Sequence, residues 1–435
     1  MDELWCDPAE LWSGGRWARA EAGTLPVIDP STGQEVAAVP RGTAPDIAAA
    51  VEAAEAARRG PWGRSTAVER GRILARIGRL VEARVDTLAR IEARDVGKPL
   101  TQARADAVAL ARYMEFYAGA ADKVHGQTIP YQDGYTVYTL REPHGVTGHI
   151  VPWNYPMQII GRSVGAALAM GNACVLKPAE DACLTALAFA RLAEEAGLPP
   201  GALNVVPGLG AAAGAALPAH PGVHHVSFTG SVATGRAVQA AASAHPAPVT
   251  LELGGKSPQI VFDDADLNAA LPFLVGAGVQ NAGQTCSAAA RILVQRGIYG
   301  AVVDRMAERY RALRVGPALA DPDVGPLISA QQRGLVAGFL DRGRDLNRVA
   351  EGQIRTDAPE GGFYVAPTLF ADVPGTHALA QQEIFGPVQV ITPFDDEAEA
   401  VALANGTAYG LVAGVWTRDG ARQMRLAKRL HAGQV

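Results

Sequence analysis

Residues 145–156 read Gly-Val-Thr-Gly-His-Ile-Val-Pro-Trp-Asn-Tyr-Pro, and this stretch decides the fold class. The apolar run Val146–Val151 predicts a buried strand, which Pro152 prevents from continuing. Further strands separated by amphipathic helices follow. The predicted strands are 173–177, 203–206, 225–228 and 249–253, and the helices between them include 184–196 and 234–243. This alternation indicates an α/β protein with a doubly wound parallel sheet that binds ligands at the carboxyl ends of its strands.

The residues on either side of this region predict further elements. Residues 11–42 alternate short apolar runs with turn residues, which is typical of hairpins. Thr43 and Pro45 predict a helix start. The expected helices are 43–58, 66–96, 99–124, 297–314 and 329–342, and the run 135–143 predicts a strand. A chain of 435 residues is too long for one ordinary core, so two or three domains are expected.

Composition and charge exclude several classes of protein. The net charge of −5 provides no basic field for nucleic acid or an anionic membrane. The apolar stretch 159–176 is interrupted by Arg162 and Asn172, so no membrane span is expected. The N-terminus lacks the basic and apolar regions of a signal peptide. The four cysteines, Cys6 among them, form no CxxC pair, which indicates a reducing, cytoplasmic setting.

Three separate side chains together suggest acyl chemistry. Cys286 lies in Gly-Gln-Thr-Cys-Ser-Ala, Glu252 in Leu-Glu-Leu-Gly-Gly-Lys, and Asn154 between two prolines. Taken singly, they are a buried cysteine, a surface strand residue and a turn asparagine. Taken together, they provide a thiolate nucleophile, a carboxylate base and an amide donor.

These three motifs, in this order, resemble the NAD(P)-dependent aldehyde dehydrogenase superfamily. Cys286 follows Glu252 by 34 residues, which also fits that family, and the resemblance runs from about Leu11 to Val435. It implies an NAD-binding domain, an oligomerisation arm and a second α/β catalytic domain. Their expected bounds are 1–130 with 144–253 for the NAD-binding domain, 131–143 for the arm, 254–430 for the catalytic domain and 431–435 for a truncated end.

Three glycine clusters compete as the phosphate-binding loop. Gly208-Leu209-Gly210 with Gly214 has the spacing GxGxxxG, and no acidic residue follows it at the usual distance. Gly254-Gly255-Lys256-Ser257 lacks the first glycine of a P-loop and is followed by Pro258, so we reject it. The preferred candidate is Phe228-Thr229-Gly230-Ser231, at a predicted helix start where backbone N–H groups and the helix dipole bind phosphate.

The resemblance also implies positions that bind the cofactor. Lys177 and Glu180 are similar to the residues that hold the adenosine ribose, and a carboxylate at Glu180 would repel a 2′-phosphate, so NAD is expected over NADP. Glu383 and Phe385 resemble the ribose and nicotinamide contacts. The complete expected set is Trp153, Lys177, Glu180, Gly230, Ser231, Leu253, Glu383 and Phe385.

The mechanism that the resemblance implies has two stages. The thiolate of Cys286 adds to the aldehyde carbonyl, and the Asn154 amide and the Cys286 backbone N–H stabilise the oxyanion. Loss of hydride to NAD leaves a thioester, and Glu252 activates the water that hydrolyses it. Branches that transfer the acyl group to coenzyme A typically lack this glutamate, so its presence favours hydrolysis.

Two departures from the family concern the substrate. Gly161-Arg162-Ser163 stands where relatives more often have an aromatic residue and a lysine, so Arg162 is a candidate for selecting polar or anionic aldehydes. Helix-surface arginine is the alternative. The expected substrate residues are Tyr155, Ile159, Arg162, Thr285 and Ser287.

The second departure is the end of the chain. Relatives usually continue for several dozen residues beyond the point that matches Val435, so we expect a fragment or a naturally short version. A homodimer or tetramer is expected if that segment is not required. A competing hypothesis is a catalytically weak relative with a cofactor-binding or structural role. None of the nine histidines has partners at metal-ligand spacing, so no metal is expected.

Overall fold

The computed structural model describes residues 7–435, so Cys6 lies outside the described residues. These residues form two compact units. Unit 1 runs to Ile28 and includes Glu35–Asp95 and Ala103–Glu252. Unit 2 consists of Asp29–Gln34, Val96–Gln102 and Leu253–Val435.

Up to Glu252 the chain forms four strands, four helices and a short hairpin, and from Val146 onward strands alternate with helices. The strands are β1 (Leu11–Ser13), β2 (Arg16–Ala18), β3 (Thr24–Asp29), β4 (Gln34–Pro40), β5 (Thr128–Ile129), β6 (Val137–Tyr138), β7 (Val146–Val151), β8 (Ala173–Pro178), β9 (Leu203–Val205), β10 (His225–Thr229) and β11 (Val249–Glu252). The α-helices are α1 (Ala44–Arg59), α2 (Ala67–Glu82), α3 (Val85–Val96), α4 (Leu100–Ala120), α5 (Pro156–Ala169), α6 (Leu184–Glu195), α7 (Ala215–Ala219) and α8 (Val232–Ala242), and Gly210–Gly214 is a π-helix.

From Leu253 onward the alternation continues. The strands are β12 (Pro258–Val261), β13 (Arg291–Gln295), β14 (Arg314–Val315), β15 (Asn347–Glu351), β16 (Gln353–Ile354), β17 (Thr368–Ala371), β18 (Val388–Phe394) and β19 (Gly414–Trp416). The α-helices are α9 (Leu267–Val279), α10 (Tyr299–Ala312), α11 (Ala330–Arg342), α12 (Ala378–Gln381), α13 (Glu397–Asn405) and α14 (Gly420–Arg429), with short 3₁₀ turns at Gln280–Gly283, Arg296–Ile298 and Ala318–Ala320.

The main sheet of unit 1 has the strand order β11-β10-β7-β8-β9-β1-β2. The five strands from β7 to β11 are mutually parallel, whereas β1 and β2 are antiparallel additions at one edge. The order reverses between β7 and β10, which creates the crevice where doubly wound sheets bind ligands. The predicted α/β fold with a parallel sheet is therefore confirmed.

Burial explains why the strands could be read from the sequence. Every residue of β8 is buried, so both faces of this strand are covered and its sequence is almost continuously apolar. The observed bounds of β7 match the prediction, and those of β8 to β11 agree with it to within one residue.

Unit 2 is built on a six-stranded sheet with the order β15-β17-β18-β13-β12-β19. Its strands run parallel except for the antiparallel pair β15 and β17. Helices α9 and α10 pack together on a core that includes Leu274, Ile292 and Tyr310. The second predicted α/β region is thus present.

Two predicted elements differ from the structure. The single helix expected over 66–96 is two helices, because α2 ends with Ala83 as its cap and the amide of Leu88 begins a new set of bonds by donating to Arg84 O. The strand expected over 135–143 is reduced to β6, which pairs only with the two-residue β5. Thr139 N also donates to Gln127 O at 2.9 Å, but within residues 7–435 the rest of that run is not assigned to a strand.

Two short segments, Asp29–Gln34 and Val96–Gln102, belong to unit 2. Both lie within residues 1–130, which were expected to be part of the NAD-binding domain. The first is held by Ser31, whose hydroxyl accepts from Ala318 N at 3.1 Å and whose carbonyl accepts from the Tyr364 hydroxyl at 2.7 Å. In the second, Thr101 N donates to the Asp321 carboxylate at 2.7 Å. These partners are hundreds of residues distant in sequence, so no local pattern indicated them.

Candidate functional site

The carboxyl edge of the unit 1 sheet brings together several candidate residues. Glu252 is the last residue of β11, and Thr229 is the last of its neighbour β10. Asn154 follows β7, and Lys177 lies near the end of β8. Because these four strands are adjacent and parallel, the candidates occupy one edge of one sheet.

Lys177 and Glu180 form an ion pair at the end of β8. The Lys177 ammonium, almost fully buried, donates to Glu180 Oε2 at 2.8 Å, and Gly210 N donates to Oε1 at 3.0 Å. Burial raises the pKa of Glu180, but Lys177 and the Gly210 amide outweigh that effect, and the pKa lies below its usual value. Glu180 is therefore held ionised and oriented.

The preferred phosphate loop leads into α8. The Ser231 hydroxyl accepts from Thr234 N at 3.2 Å and so caps this 11-residue helix. A Cβ on Gly230 would lie 2.6 Å from the Phe228 ring, so a larger residue would require the ring or the loop to shift. The competing loop at Gly210 leads instead into a π-helix and the five-residue α7, and its amide already donates to Glu180. The N-terminus of α8 is thus the better place for a pyrophosphate.

The residues after β7 are mostly buried. Asn154 is 5% exposed and Tyr155 is 8% exposed, whereas Trp153 is half-buried. Tyr155 precedes Pro156, the first residue of α5. The side chain of Asn154 is thus fixed at the start of a helix.

A cavity of about 560 Å³ within unit 1 is lined by three of the candidate residues. Glu252, Ile159 and Arg162 line it, whereas Tyr155 does not. Tyr117 also lines the cavity, and its pKa is raised by burial and by Tyr113 against the opposing effect of Arg162. The guanidinium therefore lies near enough to Tyr117 to oppose the rise of its pKa.

In unit 2, Cys286 follows an unusual turn. Asn281, Ala282 and Gly283 have φ angles of 49°, 54° and 73°, so three consecutive residues are left-handed. For alanine this conformation is strained. Cys286 is half-buried, between half-buried Thr285 and exposed Ser287.

Two glutamines hold this turn, and sequence reasoning missed both. Gln284, fully buried, donates through Nε2 to Asn281 O at 2.9 Å and accepts at Oε1 from Ile328 N at 2.9 Å. Gln102 Oε1 accepts from Asn281 N at 2.9 Å. Gln284 directly precedes Thr285 and Cys286, and that position was the only signal in the sequence.

Glu383 lies against the glycines that follow Leu253, itself half-buried. Gly255 N donates to Glu383 Oε1 at 2.9 Å, and a Cβ on Gly254 would meet Oε2 at 2.2 Å. A Cβ on Gly255 would meet Cys286 O at 2.3 Å. The Gly254–Gly255 backbone therefore connects the candidate nucleophile with the candidate ribose ligand, and only glycine fits there.

Phe385 and Lys256 complete this part of unit 2. Phe385 has a φ of 54° and is half-buried. Lys256 was noted only as part of a rejected P-loop, yet its ammonium is buried and has no hydrogen-bond partner among the described residues. Burial, with Arg291 adding to it and Glu383 opposing it, lowers the pKa of Lys256 to about 7.

Residues 7–435 lack the features of a metal centre and of a membrane-spanning helix. No group of three or more His, Cys, Asp or Glu side chains there is arranged to hold a metal ion. None of the helices in the described chain has the length and apolar character needed to span a bilayer.

Comparison with known proteins gives consistent matches over nearly the whole chain. Residues 17–435 match the aldehyde dehydrogenase family. The chain is 42% identical to hydroxyisobutyraldehyde dehydrogenase from Mycolicibacterium austroafricanum, across 98% of this chain and 85% of that protein.

Two solved structures are similar to the whole fold. A crystal structure from Burkholderia cenocepacia, provisionally named an aldehyde dehydrogenase, has a TM-score of 0.98 and 64% identity and covers 98% of this chain and 91% of its own. The NAD⁺ complex of an aldehyde dehydrogenase from Bacillus cereus has a TM-score of 0.96 and 38% identity, covering 100% and 89%.

Proposed function

Since the chain belongs to the aldehyde dehydrogenase family, it oxidises an aldehyde with NAD, and we propose that the reaction passes through a thioester on Cys286. The observation that carries this proposal is the left-handed turn clamped by Gln284, which holds a half-buried cysteine in a fixed backbone. A nucleophile held in this way reacts without first losing conformational freedom.

The side chains of Cys286 and Asn154 perform the first stage. The Sγ of Cys286 adds to the carbonyl carbon, and the carbonyl oxygen becomes an oxyanion. The Asn154 amide and the Cys286 backbone N–H donate to that oxygen, and such a donor contributes ~3 kcal/mol in acyl-transfer sites. Burial of Asn154 supports this role, because the amide is ordered before the substrate binds.

The residues of the cofactor site fit NAD. The pairing of Lys177 with Glu180 supports a role for both in binding ribose hydroxyls, and the capped N-terminus of α8 supports a role in binding the pyrophosphate. Glu383, fixed by Gly255 N, would hold the second ribose. Trp153, Leu253 and Phe385 would contact the nicotinamide end. NAD supplies the hydride acceptor that turns the adduct on Sγ into a thioester. Ionised Glu180 supports a preference for NAD over NADP.

Glu252 is proposed as the base of the second stage. It removes a proton from water, the water oxygen forms a bond to the acyl carbon, and the C–S bond breaks to release the acid. Its position at the end of an edge strand, exposed and lining a cavity, supports access to water.

Arg162 is proposed to favour polar or anionic aldehydes, because guanidinium binds carboxylate well and this arginine lines the same cavity as Glu252. Ile159 would form the apolar wall beside it, with Tyr155, Thr285 and Ser287 as further substrate contacts. The ratio of kcat/KM for carboxylated over neutral aldehydes should fall in Arg162→Ala. An unchanged ratio would eliminate this role.

Two coarser features of the protein are also proposed. We infer a cytoplasmic location because Cys174 and Cys183 are free thiols, which is typical of a reducing compartment. We infer a homodimer or homotetramer because the β5–β6 hairpin exposes Tyr135, Tyr138 and Leu140.

The decisive experiment combines turnover with trapping of the thioester. Wild-type protein is mixed with NAD and an aldehyde, NADH is followed by absorbance, and Cys286→Ala should abolish it. In Glu252→Gln, NADH should appear as a burst, and mass spectrometry should find an acyl group on the Cys286 peptide. A burst without that adduct would overturn the proposed thioester intermediate. Acyl-CoA formation on adding coenzyme A would overturn the proposal that water is the acyl acceptor.

No observation favours the competing hypothesis of a catalytically weak protein with a structural role. That hypothesis would require NAD binding without turnover.

A further inference from the structure

Two tyrosines of α4 pack against α5 on the wall of the cavity that Glu252 lines. Tyr113 and Tyr117 are one helical turn apart, so they share one face of α4. A Cβ on Gly161 would lie 2.8 Å from Tyr113 Cδ2, and a Cβ on Gly165 would lie 3.2 Å from Tyr117 Cδ2. These two glycines of α5 therefore leave the space that the two rings fill.

The hydroxyl groups of both tyrosines are available to a ligand. No residue within 7–435 forms a hydrogen bond with either of them. Both side chains are half-buried, and neither phenol oxygen is among the fully buried polar atoms that lack a partner, so both oxygens are open to solvent. Burial raises the pKa of Tyr117, with Tyr113 adding to the effect and Arg162 opposing it, so this phenol stays protonated at physiological pH. Tyr117 is therefore an accessible O–H donor.

Arg162 brings a positive charge to the same wall. It directly follows Gly161, it is exposed, and it has no ion pair or hydrogen bond with another residue of the described chain. Its effect on the pKa of Tyr117 means that the guanidinium lies near that phenol. The charge of Arg162 is thus free to pair with a ligand, with two hydroxyl donors beside it.

A guanidinium beside hydroxyl donors matches a carboxylate. A carboxylate only accepts hydrogen bonds and binds guanidinium well, whereas Arg162 would repel an ammonium group and a methyl group would leave every donor unused. Arg162 is also the one lysine or arginine that lines this cavity among the described residues. It balances the single charge of a carboxylate better than the double charge of a phosphate.

The position of Arg162 along α5 places such a carboxylate away from the chemistry. Asn154 and Glu252 lie at the carboxyl edge of the sheet, where α5 begins with Pro156. Arg162 is six residues further along that helix, which corresponds to about 9 Å. The carboxylate would therefore be at the opposite end of the substrate from the reacting carbonyl.

We propose that Tyr113 and Tyr117 are specificity-determining residues whose hydroxyls donate hydrogen bonds to a carboxylate at the far end of the aldehyde, while Arg162 pairs with its charge. The inference rests on the proposed function and extends the role given there to Arg162, since charge attraction alone would accept any anion. The substrate class is thus the semialdehyde of a dicarboxylic acid.

The test compares aldehydes that end in a carboxylate with those that end in the carboxamide, at matched lengths of roughly four to eight carbons, with kcat/KM measured for NADH formation. Wild-type protein should favour the carboxylate by about tenfold or more at one of these lengths, the effect of one hydrogen bond to a charged group. Tyr113→Phe and Tyr117→Phe should each lower that ratio by about tenfold, mainly through the KM of the aldehyde. The matched control is Tyr364→Phe, which removes a hydroxyl that donates to Ser31 O and should leave the ratio unchanged.

Two outcomes would overturn the inference, once thermal melting has confirmed that each variant is folded. The first is an equal kcat/KM for carboxylate and carboxamide at every length. The second is a ratio that falls in Arg162→Ala but not in either tyrosine variant, because the arginine would then act alone.

Failure of the proposed function is distinguishable, because wild-type protein would then oxidise none of the aldehydes. Calorimetry with adipate and its monoamide tests the site without turnover. Wild-type protein should bind adipate about tenfold more tightly than the monoamide, and the double variant Tyr113→Phe/Tyr117→Phe should bind the two equally. Equal binding by wild-type protein would overturn the inference whether or not an aldehyde is oxidised.

Discussion

Glu180 is the residue on which the choice of cofactor should depend. Its carboxylate is held ionised beside Lys177, so by our proposal it should repel a 2′-phosphate. Glu180→Gln should lower the ratio of kcat/KM for NAD over NADP by about tenfold, the effect of about 1.4 kcal/mol of repulsion. The matched control is Glu194→Gln, which removes the carboxylate of another i,i+3 pair, with Arg191. Equal ratios in the two variants would refute the role of Glu180.

Lys256 should make the free energy of unfolding depend on pH between about 7 and 10.5. Its pKa is about 7 in the folded chain and 10.5 by the reference value, so between these values the unfolded chain binds more protons. The free energy of unfolding should therefore rise with pH across this window, by at most about 1.4 kcal/mol per unit, and reach its full value above pH 10.5.

The measurement is denaturant unfolding at several pH values. Lys256→Met should lose the slope, whereas Lys428→Met, which removes an exposed lysine of α14, should keep it. Identical slopes in both variants would show that Lys256 is not the titrating group.

At the scale of elements, we can test whether Gln284 holds the turn that precedes Cys286. Gln284→Leu leaves Asn281 O and Ile328 N without their side-chain partner in a buried position. The free energy of unfolding should fall by about 1–3 kcal/mol, the effect of leaving Ile328 N unsatisfied, because Asn281 O still accepts from Gln284 N. Iodoacetamide should alkylate Cys286 faster, because the loosened turn uncovers it.

The control is Gln331→Leu, on an exposed face of α11. Both variants are followed by thermal melting and by the rate of alkylation. If Gln284→Leu behaves like this control, the clamp does not hold the nucleophile.

Elements whose ends are marked by the residues that flank them were predictable from the sequence. Val146–Val151 lies between a glycine and a proline and is buried, so its pattern defined both ends. The break between α2 and α3 was not predictable, because Ala83 and Arg84 are good helix formers and only the observed bonds show the interruption. The Gln284–Ile328 and Gln102–Asn281 hydrogen bonds join residues 44 and 179 positions apart, which no local pattern reveals.

At the scale of the whole molecule, the exposed β5–β6 hairpin should decide assembly. Leu140 is 70% exposed, and a charge there should weaken a contact between copies. Leu140→Glu should shift the sedimentation coefficient toward the monomer. Met424→Glu, at another exposed apolar residue, is the control. A monomeric wild-type protein, or equal shifts in both variants, would refute the proposed role of the hairpin.

The division of the chain was only partly visible in its sequence. The change of unit at Glu252 and Leu253 follows directly after a strand, next to the glycines of a motif already singled out. The assignment of Asp29–Gln34 and Val96–Gln102 to unit 2 rests on pairs such as Ser31 with Ala318. Hydrogen bonds between residues so distant along the chain leave no periodicity in either segment.

The three left-handed residues before Cys286 have a stereochemical consequence. Backbone of this hand is the mirror image of ordinary helix, so D-amino acids adopt it as readily as L-residues adopt the right-handed form. Semisynthesis that inverts the single stereocentre of Ala282 would relax the backbone and redirect the methyl group, which is 2% exposed. In the native turn the side chain of Ala282 is buried, whereas its backbone has the hand that is unfavourable for an L-residue.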